Sequence, residues 1–117
     1  MNTYKETIHK LQVTIVVLKE SENYETSIRT IMQSLDEGLQ FTKEHYSELL
    51  SNDNNGSDIY FFFMRFSHQF FNVMNLINVK PNASYYQRTL HLFETRQKKF
   101  VELREEAIAK ASKLLGL

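Results

Sequence analysis

The side chain best placed by type and position to do chemistry is His68. Projected on a helix at about 100° per residue, it groups with Arg65, Gln69, Asn72 and Asn75, away from a dense phenylalanine face. An imidazole on such a side can act as a nucleophile. Other patterns that would support catalysis fall short. The chain has no cysteine, which removes thiolate nucleophiles, disulfides and thiolate metal sites. Glu6-x-x-His9 has the spacing of a di-iron bundle motif, but such a centre needs a second copy and two further inward-facing glutamates. His45, His68 and His91 fall on separate segments, without metal-ligand spacing. A serine elbow and a glycine-rich phosphate loop are both missing. The loop SNDNNGSD fails as a calcium site: aligning Gly56 with the central glycine puts Ser51 first and Phe62 where the bidentate glutamate must stand. No metal and no cofactor is expected.

The residues around His68, from Phe66 to Ile77, resemble the H-box of sensor histidine kinases and of the sporulation-type phosphotransferases related to them. His68, Phe70, Asn72 and Met74 match that box, while Gln69 stands where the family usually has an acid. The resemblance implies His68 as a phosphoacceptor. It covers about a dozen residues, and only one helical segment follows, with no ATP-binding domain. Histidine phosphotransfer domains carry a lysine three and a glycine four positions after the histidine. Phe71 and Asn72 occupy those places here, so that pattern is absent.

A second candidate surface is basic. Residues 1–58 hold five Lys/Arg against ten Asp/Glu, and residues 59–117 hold nine against four, so the halves carry −5 and +5 in a chain of zero net charge. Nucleic-acid binding would rest on Arg88, His91, Arg96, Lys98, Lys99 and Arg104, with Tyr85 and Tyr86 as stacking groups; a solvated helix face explains the same residues. Four glutamates interrupt them and no helix-turn-helix is recognisable, so nucleic acid is not the expected partner. An acidic helix lying beside a basic one accounts for the same charges. The binding candidates are therefore Arg65, His68, Asn72 and Asn75 on the central segment, with Arg88, Arg96 and Lys99 on the last.

The elements that must position these residues are helical. Gly38, Gly56, Gly116 and Pro81 are the complete set of glycines and prolines, which leaves little turn chemistry for hairpins. Tyr4, Ile8, Leu11, Ile15 and Leu18 form a helical stripe over about 4–20, with Thr3 and Glu6 at capping-box spacing. The stripe resumes over about 24–50 with Ile28, Ile31, Met32, Leu35, Leu39, Tyr46 and Leu49. Gly38 sits inside it, costing up to ~1 kcal/mol against alanine unless another helix approaches there. The turn between these two helices lies somewhere in 21–25. Residues 51–58 form a loop, and Ser57 or Asp58 caps the central helix, Ile59 to Val79. On that helix Ile59, Phe62, Phe63, Phe66, Phe70, Val73, Met74 and Ile77 share one face, which Tyr60, Met64 and Phe71 extend. Phe61 and Leu76 intrude on the polar side. Lys80-Pro81-Asn82 ends it. Asn82 or Ser84 then caps a last helix to about Leu115, whose Tyr86, Leu90, Phe93, Phe100, Leu103, Ala107, Ala111 and Leu114 have the spacing of a bundle seam.

These segments predict a single all-α domain over 1–117, an antiparallel up-down-up-down four-helix bundle. At 117 residues such a domain buries roughly two-thirds of its unfolded surface, enough for one core. No apolar run reaches the ~20 residues that span a bilayer. The N-terminus lacks the features of a secretory signal, so the two Asn-x-Ser sequons at Asn55 and Asn82 carry no weight, and the expected location is the cytoplasm. The expected function is non-catalytic: a small regulatory or inhibitory protein that binds another protein. Self-association is expected through the last helix, whose seam outruns the others. The alternatives are phosphorelay chemistry at His68 and nucleic-acid binding by the basic helix.

Overall fold

The computed structural model describes the backbone of residues 2–75 and 85–117 and the side chains of 2–75 and 94–117. Among the described residues the chain is all-α, with five helices and no strand: α1 (Thr3–Glu20), α2 (Tyr24–Glu44), α3 (Tyr46–Ser51), α4 (Gly56–Met74) and α5 (Tyr85–Leu114). The molecule measures 58 × 25 × 17 Å along its principal axes. The expected helix end at Val79, the Pro81 breaker and the caps at Asn82 or Ser84 lie outside the described residues. So do the side chains of Leu76, Ile77, Tyr86, Leu90 and Phe93.

Five helices replace the expected four because the segment over 24–50 is divided at His45. The Thr42 hydroxyl donates to the Gly38 carbonyl at 2.8 Å, and the His45 ring Nδ1–H donates to the Phe41 carbonyl at 2.9 Å while stacking on the Phe41 ring. Side-chain bonds of this kind can bend a helix, although those of Thr7 and Thr14 leave α1 unbroken. The bend turns Leu49 inward, 1% exposed, beneath the start of α4. That start also differs from expectation. Neither Ser57 nor Asp58 is the N-cap: α4 begins at Gly56, with Asn55 in the cap position. Asn54 Oδ1 accepts the Gly56 N–H at 2.9 Å, and Gly56 lies so close to Leu49 that a Cβ there would meet Leu49 Cδ2 at 2.7 Å. The Asn55 side chain accepts from the Tyr4 hydroxyl and donates to the Leu114 carbonyl, both at 2.6 Å, tying α1 and the end of α5 to this junction.

At this same end of α1, the N-cap is Asn2, which accepts the Lys5 N–H at 3.1 Å. The expected capping box is not formed: Thr3 is the first helical residue, buried, and donates to Glu48 Oε2 at 2.8 Å. The first turn is a short bend over 21–23, and Asn23 Oδ1 caps α2 by accepting the Glu25 N–H at 2.8 Å.

α2 packs on α1 and α4, and α5 packs on α4 and α1, while α2 and α5 touch little. The centre is Phe62, Phe63, Phe66 and Phe70 of α4, closed by Leu11, Ile31, Leu35 and Phe100. Phe70 and Tyr24 both meet the Phe100 ring edge-on, at 6.0 and 5.7 Å. Gly38 is where α2 meets α4: a Cβ added there would fall inside the Phe63 ring. Gly38→Ala should therefore destabilise the fold although it favours helix. Overpacking costs about 1–3 kcal/mol against up to ~1 kcal/mol gained in propensity. Urea denaturation should show this loss, and Phe63→Leu should cost less in the Gly38→Ala background than in the wild type. Additive costs would refute the close approach.

Candidate functional site

The outer face of α4 carries the first group of candidates. Arg65, His68, Asn72 and Asn75 are all exposed there, as their common helical side requires. Arg65 forms an ion pair with Glu106 of α5 and lies 4.8 Å from the Phe66 ring centroid. Asn72 borders a shallow cleft between α4 and α5 that is also lined by Gln69, Lys99, Glu102 and Glu106. Lys99, exposed on α5, is thus the one described basic-helix candidate that joins the α4 group. The residues flanking His68 in sequence are less accessible: Ser67 Oγ and Gln69 Oε1 are buried without a hydrogen-bond partner. Among the described residues no group of three His, Cys, Asp or Glu could hold a metal ion, and no helix is long and apolar enough to cross a membrane.

The same face holds residues that sequence reasoning assigned elsewhere. Met64 and Phe71 were expected to widen the buried arc, yet they are 43% and 50% exposed, and Phe61 is 47% exposed. The arc is narrower because α1, α2 and α5 cover Ile59, Phe62, Phe63, Phe66, Phe70 and Val73, while among the described residues the far side meets only the edge of α3 at Tyr46. Phe61, Met64, His68 and Phe71 therefore form one surface row at helical spacing. The signal was present in the sequence as the 3-4-3 spacing of those four positions. Phe61 also leads into a surface aromatic group, 5.3 Å from Tyr60 and 6.1 Å from Tyr46 between ring centroids. A row of large apolar side chains rimmed by polar ones is the composition of a protein-contact surface.

The basic helix is organised differently. Arg96, expected on a solvated face, is only 8% exposed: its guanidinium lies 4.0 Å over the Tyr24 ring and pairs with Glu25. Gln97 clamps the first turn, accepting the Tyr24 N–H at 2.9 Å and donating to the Glu22 carbonyl at 3.1 Å. Arg104 donates to the Leu18 and Lys19 carbonyls at 2.6 and 2.9 Å, capping the C-terminus of α1. A cation belongs there, where the helix dipole is negative and carbonyls lack helical partners. These three side chains pin the α1–α2 turn to α5. The side chains of Arg88, His91, Tyr85 and Tyr86 lie outside the described residues. Lys98 and Lys99 are exposed, and Val101 is the only large apolar side chain exposed on the described part of α5.

The charge asymmetry has a similar answer. α2 packs chiefly on α4, whose only full charges are Asp58 and Arg65, rather than on the basic helix. Among the described ion pairs, Arg96–Glu25 joins the two halves, whereas Arg65–Glu106 and Lys10–Glu6 each stay within one. Arg104→Ala should lower stability by about 2–3 kcal/mol, the worth of charge-assisted bonds to helix-end carbonyls. Lys99→Ala, at an exposed position, should stay within about 0.5 kcal/mol of the wild type. Equal losses in chemical denaturation would show that Arg104 does not hold α1.

Compared with known protein families, with curated proteins and with solved structures, the chain matches none.

Proposed function

We propose that this chain is a non-catalytic regulatory or inhibitory protein that acts by binding another protein through the outer face of α4. Its four long helices work as a bundle that holds this face rigid. The observation that carries the reading is the row of Phe61, Met64 and Phe71, each more than two-fifths exposed on the helix whose other side is the core. Half-exposed aromatics on a rigid helix can bury large area at small entropic cost, which makes them effective anchors. The reading is tested by capture from the chain's own host. The wild type should retain one stoichiometric protein, and Phe61→Ser with Phe71→Ser should lose it while keeping the wild-type thermal transition. Retention by that double variant would sink the assignment of the face.

A second reading is favoured by one observation, the exposure of His68 in the same row. Solvent access is what a phosphoacceptor imidazole requires, and the H-box resemblance supplies the candidate chemistry. The test is incubation with phosphorylated response regulators. On the protein-binding reading no acid-labile label forms on the wild type. Label on the wild type that is absent from His68→Ala would establish phosphotransfer instead.

A further inference from the structure

We infer that Asn55-Gly56 is a deamidation site built into the α3–α4 corner, held unreactive by the fold and converted when that corner opens, and that its conversion unlatches the end of α5. The inference stands apart from the protein-binding reading. Asn55-Gly56 is the only Asn-Gly pair in the chain. Asparagine before glycine is the pair in which the reaction meets least steric hindrance, because no Cβ stands beside the attacking nitrogen. The Gly56 backbone nitrogen loses its proton to solvent base and attacks Asn55 Cγ. The N–Cγ bond forms, the Cγ–Nδ2 bond breaks, and Nδ2 takes up a proton and leaves as ammonia. Water then opens the succinimide ring at either carbonyl, giving aspartate or isoaspartate. Water is the only co-reactant, and nothing is oxidised or reduced.

The fold opposes each part of this step. Ring closure needs the Gly56 nitrogen on the side-chain side of the Asn55 Cα–C bond, but at φ −94° and ψ 23° it points away from Cβ. The Gly56 N–H is already donated to Asn54 Oδ1 at 2.9 Å, and Gly56 is buried. The Asn55 amide is clamped as well: Oδ1 accepts from the Tyr4 hydroxyl and Nδ2 donates to the Leu114 carbonyl, both at 2.6 Å. A carbonyl can only accept, so the orientation of the amide is fixed, and the nitrogen that must leave is the one tied to α5.

The effect of conversion follows from the same bonds. A carboxylate has no donor, so the Leu114 carbonyl, which lies at a helix end without a helical partner, would face an anionic oxygen in place of an N–H. Asn55 makes no side-chain cap bond to α4, and a negative charge suits a helix N-terminus, so the start of α4 is not what conversion harms. The loss falls on the end of α5, where Leu114 and Leu115 pack against the core.

Peptide mapping that separates asparagine, aspartate and isoaspartate at position 55 tests the site, on the full chain held in mildly alkaline buffer with and without denaturing urea. In urea, Asn55 should convert ahead of every other asparagine. Without urea it should convert more than about tenfold slower, because the reaction then waits on local opening. Equal rates in the two conditions would overturn the protection, and no conversion of Asn55 in urea would overturn the site. Tyr4→Phe removes the hydroxyl and keeps the ring. It should speed conversion several-fold in the folded chain and leave the rate in urea unchanged. Ile28→Val, which removes one core methyl near the α1–α2 turn, should speed neither. An equal gain from both variants would assign the protection to global stability and overturn the clamp. Asn55→Asp should speed amide hydrogen exchange in the last turn of α5 while α2 exchanges as in the wild type. Unchanged exchange in α5, or an equal gain in α2, would overturn the unlatching.

Discussion

The contact of the Phe63 ring with Gly38 decides how close α2 can come to α4, and most of the remaining arrangement follows from it. A helix pair with an aromatic ring between ordinary side chains sits far apart, whereas a glycine lets the ring lie against the opposing backbone. Phe63 is fully buried, and so are Ile31, Leu35, Phe66 and Phe70 around it. The glycine has a second consequence. Its carbonyl accepts the Thr42 hydroxyl, one turn before the helix is interrupted at His45. Close approach and the bend that follows therefore share one stretch of backbone. The bend sends Leu49 beneath Gly56, where a second glycine admits it. Two glycines thus shape the α2–α3–α4 corner by what they leave out.

The α1–α2 turn is held by the opposite means. Its backbone groups are matched by polar side chains of α5, from Gln97 and Arg104, while Arg96 covers Tyr24. Buried backbone polar groups must find partners, and a three-residue bend between two helices leaves several unmatched. The long helix supplies them from a distance of more than seventy residues in sequence. This is why Arg96, Gln97 and Arg104 stand beside the apolar seam of Phe100, Leu103 and Ala107.

What was legible in the sequence follows from what periodicity measures. It reports angular position on a helix, so the stripes Leu11–Ile15–Leu18, Ile28–Ile31–Leu35 and Phe62–Phe66–Phe70 were readable and are buried. It does not report how many neighbours a helix has. Met64 and Phe71 border the buried arc in angle, and only the number of covering helices leaves them exposed. Capping was legible by residue class but not by position: asparagines at 2, 23 and 55 hold the cap sites in place of the expected Thr3, Ser57 or Asp58. The break at His45 carries no glycine or proline; the side-chain bonds to the Gly38 and Phe41 carbonyls accompany it, but like bonds from Thr7 and Thr14 leave α1 continuous. Arg96 and Arg104 read as basic surface candidates because their partners, Tyr24, Glu25, Leu18 and Lys19, lie on α1 and α2. Of the α4 candidates, Arg65, His68, Asn72 and Asn75 were placed together correctly by angle alone.

The two long elements that frame the candidate site invert the usual partition of polar and apolar residues. α5 turns arginines and a glutamine inward, where they are used up in holding the fold. α4 turns two aromatic residues, Phe61 and Phe71, partly outward, where the fold covers only about half of each. A bundle could fill the positions of Phe61, Met64 and Phe71 with charged residues at no loss of core, since none of the three contributes to the buried cluster. Exposed aromatic area carries a solubility cost, which the interspersed Arg65, His68 and Asn72 offset by breaking the row into separate apolar spots. Packing explains the phenylalanines at 62, 63, 66 and 70 completely. Those at 61 and 71 are explained only in part, by the Tyr46 and Tyr60 rings beside Phe61 and by the cleft that Phe71 shares with Met32 and Gln33 of α2; about half of each ring stays exposed.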